Sequence, residues 1–197
     1  AAVGVAAPFA NQLLAFNGVA MANATLPYKP TKAGGGGPLK MLLWQAPTLL
    51  NPHFASGTKD QIASRIFYEP LAGWDKEGNL FPQLAAEIPS KANGGLSADG
   101  KEVIWKIKPG VKWHDGKPFT AADVKCTFDL VAGLTSAPDF RKNPRKIWYH
   151  NLKSVTTKGD HEVTFELNAP QPSFLALLAS GYTPIYPCHV EQKQMRA

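Results

Sequence analysis

Four groups of residues have the types and spacing from which chemistry is usually built. His114 and Asp115 are adjacent, as in the cation-holding pair of metal-dependent phosphohydrolases. They stand beside Gly116, and no second histidine follows at the i+4 spacing that places two imidazoles on one helix face, so turn formation explains them better than a metal centre. Cys188 and His189 offer a nucleophile and a base, yet neighbours on an extended segment point to opposite sides. Neither a Gly-x-Ser-x-Gly elbow nor a Gly-rich phosphate loop accompanies them. Arg141, Lys142, Arg145 and Lys146 precede Trp148, Tyr149 and His150, a cluster able to face a ligand or single-stranded nucleic acid. A solvated face beside a partly buried tryptophan accounts for the same residues, since Arg and Lys are usually exposed. Last, Ala55, Ser56, Gly57 and Thr58 precede a helix opening near Asp60, where backbone amides favour a carboxylate or other anion. Gly, Ser and Thr equally suit any strand-to-helix connection.

These groups need elements to position them. The apolar run Leu39 to Gln45, bounded by Pro38 and Pro47, predicts a buried first strand. Ile62, Ile66 and Phe67 predict the inner stripe of a helix running from Asp60 to before Pro70. Leu71 to Asp75 reads as a short extended piece followed by a turn at Gly78, and Gln83 to Glu87 as a single helical turn. In Val103 to Lys108 the alternation puts Val103, Trp105 and Ile107 on one strand face. Pro109-Gly110 and Asp115-Gly116 supply turns. Thr120 and Asp123 form a capping box for a helix whose inner stripe is Val124, Phe128 and Val131 and whose stop is Gly133. Leu152 to Leu167 predicts a hairpin through Lys158-Gly159-Asp160, Ser173 to Ala179 a short helix, and Tyr182 to Pro187 an extended return. Trp44, Trp74, Trp105 and Trp113 are expected in packing rather than at a ligand.

Composition narrows the class. With 197 residues, 44% apolar and 18% charged, the chain has enough apolar surface to close a core, and collagen, coiled coil and a wholly disordered tail are excluded. The net charge of +6 does not by itself call for nucleic acid. Cys126 and Cys188 are too few for a disulfide scaffold and lack CxxC zinc spacing, and whether they pair with each other stays open. Residues 1–24 carry no charge up to residue 22, are broken by Pro8 and Gly18, and end in small-x-small patterns at Ala20-Met21-Ala22 and Ala22-Asn23-Ala24. That reads as a partial export leader rather than a membrane span. Residues 25–38, rich in Pro and Gly, read as a flexible linker.

Three literal stretches carry a resemblance: Leu50-Asn51-Pro52-His53; Ser97 to Gly116 with its Trp105-Lys106-Ile107-Lys108-Pro109-Gly110-Val111-Lys112-Trp113-His114-Asp115-Gly116 core, closing with Phe119 to Val124; and Pro184-Ile185-Tyr186-Pro187-Cys188-His189. Over Leu39 to His189 the chain resembles the family 5 extracellular solute-binding proteins, the dipeptide and oligopeptide receptors of bacterial ABC importers. Cys188 departs from that pattern, in which Lys is more usual. The resemblance implies an α/β fold, the first lobe of a type II periplasmic-binding-protein-like clamshell with an inserted α+β subdomain, incomplete at both ends. Residues 39–70 would begin lobe I, 71–181 would be the insertion, and 182–197 the return to lobe I. It implies no enzyme activity, cofactor or metal, and a periplasmic monomer that hands a peptide or similar small polar solute to a membrane permease, with no nucleic-acid partner. Such a receptor must pair the ligand's polar backbone, because each unpaired buried group costs about 1–3 kcal/mol. Ala55, Ser56, Gly57 and Thr58 are therefore the candidate ligand residues. The alternative is a secreted hydrolase with a metal or Cys-His centre.

Overall fold

The computed structural model describes Pro38, residues 40–135 and residues 143–190. The expected leader, the linker up to residue 37, Leu39, Arg141, Lys142 and the closing stretch from residue 191 lie outside the described residues.

The centre of the molecule is built where the alternation is cleanest. β3 (Glu102–Lys106) pairs antiparallel with β5 (Glu162–Leu167), and β5 pairs with β4 (Leu152–Lys158), giving the sheet order β3-β5-β4. Val103 opposes Phe165 and Trp105 opposes Val163, so the apolar face of one strand meets that of its neighbour. The β4–β5 turn uses Gly159 at φ 62°, a conformation that side chains with a Cβ rarely adopt. α2 (Ala121–Ala132) covers this face with Val124, Phe128 and Val131, all buried. Its start is the expected capping box, with Thr120 N–H donating to Asp123 Oδ2 at 2.9 Å, and its end is Gly133 at φ 71°. Phe128 meets Phe165 edge-on with 5.0 Å between ring centroids, and Phe165 meets Phe174 at 5.5 Å. Phe174 opens α3 (Phe174–Leu178), which closes that side of the core.

A smaller hairpin, β1 (Ala72–Trp74) with β2 (Leu80–Pro82), flanks this unit. Its turn is tied by Asp75, whose carboxylate accepts the Asn79 and Glu77 N–H groups. α1 (Thr58–Ser64) packs on residues 48–55, and the buried return from Thr183 to Tyr186 bonds Glu69 O through Ile185 N–H. All ladder pairs among the described strands are antiparallel.

Three expectations are corrected. Residues 40–45 form no strand, and Met41, Leu42 and Trp44 are 55%, 100% and 71% exposed, so Trp44 is not packing. A strand must pair its N–H and C=O groups, and no described strand pairs with this run. Gln83 to Glu87 is not a helical turn. Ala86 N–H donates to Lys106 O at 2.7 Å and Lys108 N–H to Leu84 O at 3.0 Å, which extends pairing toward β3. The helix from Asp60 stops at Ser64, and Ile62, Ile66 and Phe67 face outward while Asp60, Gln61, Ala63 and Ser64 are buried.

Candidate functional site

The inverted burial of α1 has a physical cause: the surface it packs on is backbone, not hydrocarbon. Asp60 accepts Thr48 N–H at 2.6 Å and Leu49 N–H at 3.2 Å. Those bonds, the Thr48 N–H first, hold its carboxyl below the usual carboxylate range, with Lys59 adding to the effect. Gln61 Nε2 donates to Pro52 O at 2.8 Å and Ala55 O at 3.0 Å. Polar side chains turned inward thus cage the loop that leads into the helix.

Arg145 completes the cage from the far side of the chain. Its Nη1 donates to Pro52 O at 3.3 Å and His53 O at 3.2 Å, and its Nη2 to Ala55 O at 2.5 Å. One planar guanidinium spans three carbonyls of a single bend, a task its fork geometry suits and an ammonium could not repeat. The guanidinium carbon also lies 4.4 Å from the Tyr182 ring centroid and 5.5 Å from that of Trp148. Trp148 sits on a short 3₁₀ turn (Lys146–Tyr149) whose buried anchor is Tyr149.

The cage leaves a specific set of donors free. Among the described residues, the N–H groups of Ser56, Gly57 and Thr58 meet no acceptor, whereas Ala55 N–H is taken by Asn51 O at 2.9 Å. Ser56 and Thr58 are exposed, Gly57 is half-buried and Ala55 is buried. Of the four candidate residues, Ala55 is therefore part of the scaffold, and the next three have N–H groups without an acceptor among the described residues.

The remaining candidate groups are placed as follows. Asp115 does not act with His114; it meets His189 Nε2 at 2.8 Å. The Lys117 N–H, and then His189, hold the Asp115 carboxyl low. Among the described residues no three His, Cys, Asp or Glu side chains gather as a cation site. Cys188 is bonded to Cys126, which closes the question of pairing and removes the thiol that a Cys-His nucleophile needs. A cleft of about 220 Å³ lies between the chain after α1 and the 111–119 hairpin, with Leu84, Phe119 and Ile185 among its lining, and does not include the 55–58 loop. Spacing alone missed Asp60, Gln61 and Arg145 as the scaffold of the loop. Asn51-Pro52-His53 was the one local signal, since this bend is what Gln61 and Arg145 hold while Asp60 ties the residues just before it.

Residues 79–195 match the middle region of the bacterial extracellular solute-binding proteins, family 5. Among curated proteins, the chain is 33% identical over 178 residues to the oligopeptide-binding protein AppA of Bacillus subtilis strain 168, covering 90% of this chain and 31% of AppA. It is 32% identical over 132 residues to the glutathione-binding protein GsiB of Pectobacterium atrosepticum, covering 67% of this chain and 24% of GsiB. The chain thus spans less than a third of the length of these relatives. Among solved structures, AppA of B. subtilis in complex with a nonapeptide superposes with a TM-score of 0.62, covering 73% of this chain and 26% of that one at 33% identity. A dipeptide-binding protein of Pseudoalteromonas in complex with Met-Leu superposes with a TM-score of 0.64 at 22% identity, covering 75% and 31%, and supports the fold alone.

Proposed function

The chain belongs to the bacterial extracellular solute-binding proteins of family 5, and from that membership we propose that it forms one wall of a receptor that captures a peptide or similar small polar solute for an ABC importer. The observation that carries this reading to particular atoms is the run of three consecutive unpaired N–H groups, Ser56 to Thr58, on a bend immobilised by Gln61 and Arg145. Donors held at fixed positions bind carbonyl or carboxylate oxygens without paying to order the loop at the moment of binding. Ala55 contributes by fixing the bend, and Ser56, Gly57 and Thr58 by touching the ligand.

A second α/β lobe would close over this wall by hinge motion, as in periplasmic binding proteins. In this reading residues 39–70 and 182–197 belong to the main lobe and 71–181 to its inserted subdomain. The contacts of the return segment with the start of the chain favour that division: Ile185 N–H donates to Glu69 O at 3.0 Å, and Tyr186 Oη donates to Asn51 Oδ1. The protein acts outside the cytoplasm as a monomer, delivers its ligand to a membrane permease, and transforms nothing. A Cys-His hydrolase is disfavoured because Cys188 has no thiol in the disulfide form.

Thr58→Pro tests the assignment with little cost to the fold. Thr58 is the first helical residue, where proline is well tolerated, and Gly57 before it is extended at φ −81°, ψ 138°, as a residue preceding proline prefers. Calorimetric titration of the full reading frame's product with short peptides should show weaker binding for the variant at unchanged melting temperature. Equal affinity would remove the Thr58 N–H from the site.

A further inference from the structure

Arg145 does more than hold the bend, because the face it turns from the loop carries two rings. Trp148 and Tyr182 meet edge to face, 5.8 Å between centroids at 83°. Both rest on the guanidinium that binds Ala55 O. Trp148 is 38% exposed and Tyr182 half-buried, although a ring pair of this size ordinarily gains by full burial. Ile147, next in the chain, is 70% exposed. The apolar surface thus shares Arg145 with the loop that carries the unpaired donors. One side chain links the two, so a ligand backbone at Ser56 to Thr58 would place a neighbouring side chain within about one or two residues' reach, ~3.3 Å per extended residue.

Charge excludes one class of occupant. No carboxylate among the described residues pairs with Arg145, whose three hydrogen bonds all go to neutral carbonyls. The shelf therefore sits on an uncompensated cation, which repels a Lys or Arg side chain, while the exposed Trp148 ring and Ile147 supply the apolar contact.

Resting on the ligand-capture reading above, we propose that Trp148 and Tyr182, positioned by Arg145, form a specificity shelf that takes an uncharged aromatic or large aliphatic side chain of the bound peptide. Trp148 and Tyr182 touch the ligand; Arg145 is a positioning residue.

The test is a calorimetric series on the full reading frame's product, using tripeptides of alanine in which Phe, Leu or Lys replaces each position in turn. At one position Phe and Leu should bind about three- to tenfold tighter than Ala, the scale of one aromatic contact, and Lys weaker than Ala. Trp148→Ala and Tyr182→Ala should erase the Phe and Leu preference, costing the Phe and Leu peptides more than trialanine, and Trp148→Phe should keep most of it. Binding of the Phe peptide should also shift the fluorescence difference between the wild type and Trp148→Phe. Equal affinities across the series, or an equal loss for every peptide in Trp148→Ala, would overturn the shelf while peptide capture stood; the second result would assign these rings to contact with the rest of the protein. Absence of binding by every peptide would overturn capture and shelf together.

Discussion

His53 donates its Nε2–H to the carbonyl of Pro184 at 2.7 Å, joining positions 131 residues apart. A carbonyl oxygen only accepts, so Nε2 carries the proton and Nδ1 is left bare. Nδ1 is buried without a partner among the described residues, the ring is 1% exposed, and Tyr186 packs on it with centroids 4.5 Å apart. Burial, helped by the nearby Arg145 charge and opposed by the Pro184 bond, pushes the imidazole down to about 4 from its ordinary 6.5. This neutral histidine pins the return segment to the bend that carries the candidate donors.

Stability should accordingly fall as acid is added, in a defined window. Between pH 6.5 and about 4 the unfolded chain binds a proton on His53 and the folded chain does not, so protonation favours unfolding. The loss over that window is on the order of 3 kcal/mol, from the shift at about 1.4 kcal/mol per pH unit. Asp60 acts in a separate window: its carboxyl is held low, so its contribution is complete above the usual carboxylate pKa and is lost only as the pH falls below it. Urea unfolding of the wild type and of His53→Gln at pH 7 and pH 4.5 reads the difference. The variant should be weaker at pH 7 and show a much flatter dependence. Parallel pH profiles would show that His53 titrates normally in the fold.

Arg145→Ala should loosen the bend. The change strands His53 O, whose one described partner is this guanidinium, and leaves Gln61 alone on Pro52 O and Ala55 O. Hydrogen bonds to a charged group contribute roughly 1.5–3 kcal/mol, so a loss of about that size is expected. Faster amide exchange at Phe54 and Ala55, whose N–H groups bond Asn51 O, should accompany it, with β3 and β5 unchanged. Arg145→Lys keeps the charge without the fork and should recover little of the protection.

What was readable beforehand follows from how local each interaction is. The alternation of Val103, Trp105 and Ile107, the matching set Val163, Phe165 and Leu167, and the Thr120–Asp123 cap depend on neighbours within a few residues, and all are present. The run at Leu39 to Gln45 has strand composition, but a strand is completed by a partner that composition does not name. The helix after Gly57 misleads for another reason. Its apolar residues suggested an inner stripe, whereas its actual neighbours are the amides and carbonyls of residues 48–55, so Asp60 and Gln61 turn inward instead. Arg145 was visible as part of a basic cluster, but its partners lie about 90 residues away and its role could not be read from spacing.

The chain taken alone should bind peptides weakly. Micromolar affinity requires about 8 kcal/mol, and a single wall pays most of the immobilisation cost of a ligand while supplying part of its contacts. Titration of residues 39–197 with the peptides that the full reading frame's product binds should give at most a small heat. Undiminished affinity would mean that this wall holds the whole site and would sink the clamshell reading.

Two adjacent positions of α2 hold the return segment, and they should fail differently. Thr127 Oγ1 donates to Asp123 O at 2.8 Å and accepts Tyr186 N–H at 2.9 Å, a bond within the packed interior. Cys126 is joined to Cys188 across 62 positions, at the half-buried margin. A cross-link spanning that length acts chiefly by restricting the unfolded chain, and is worth up to about 4 kcal/mol. Its removal should leave the native contacts of Tyr186 and His53 in place. Cys126→Ala with Cys188→Ala should therefore lower the urea midpoint by a large margin at neutral pH, preserve the near-ultraviolet signal of the folded state, and abolish any further effect of reductant. Thr127→Val, which cannot accept the Tyr186 N–H, should cost about 1–3 kcal/mol whether or not the disulfide is present. If reductant left the wild-type midpoint unmoved, the cross-link would contribute nothing and the return segment would be held by its hydrogen bonds, those of Thr127 and His53 among them.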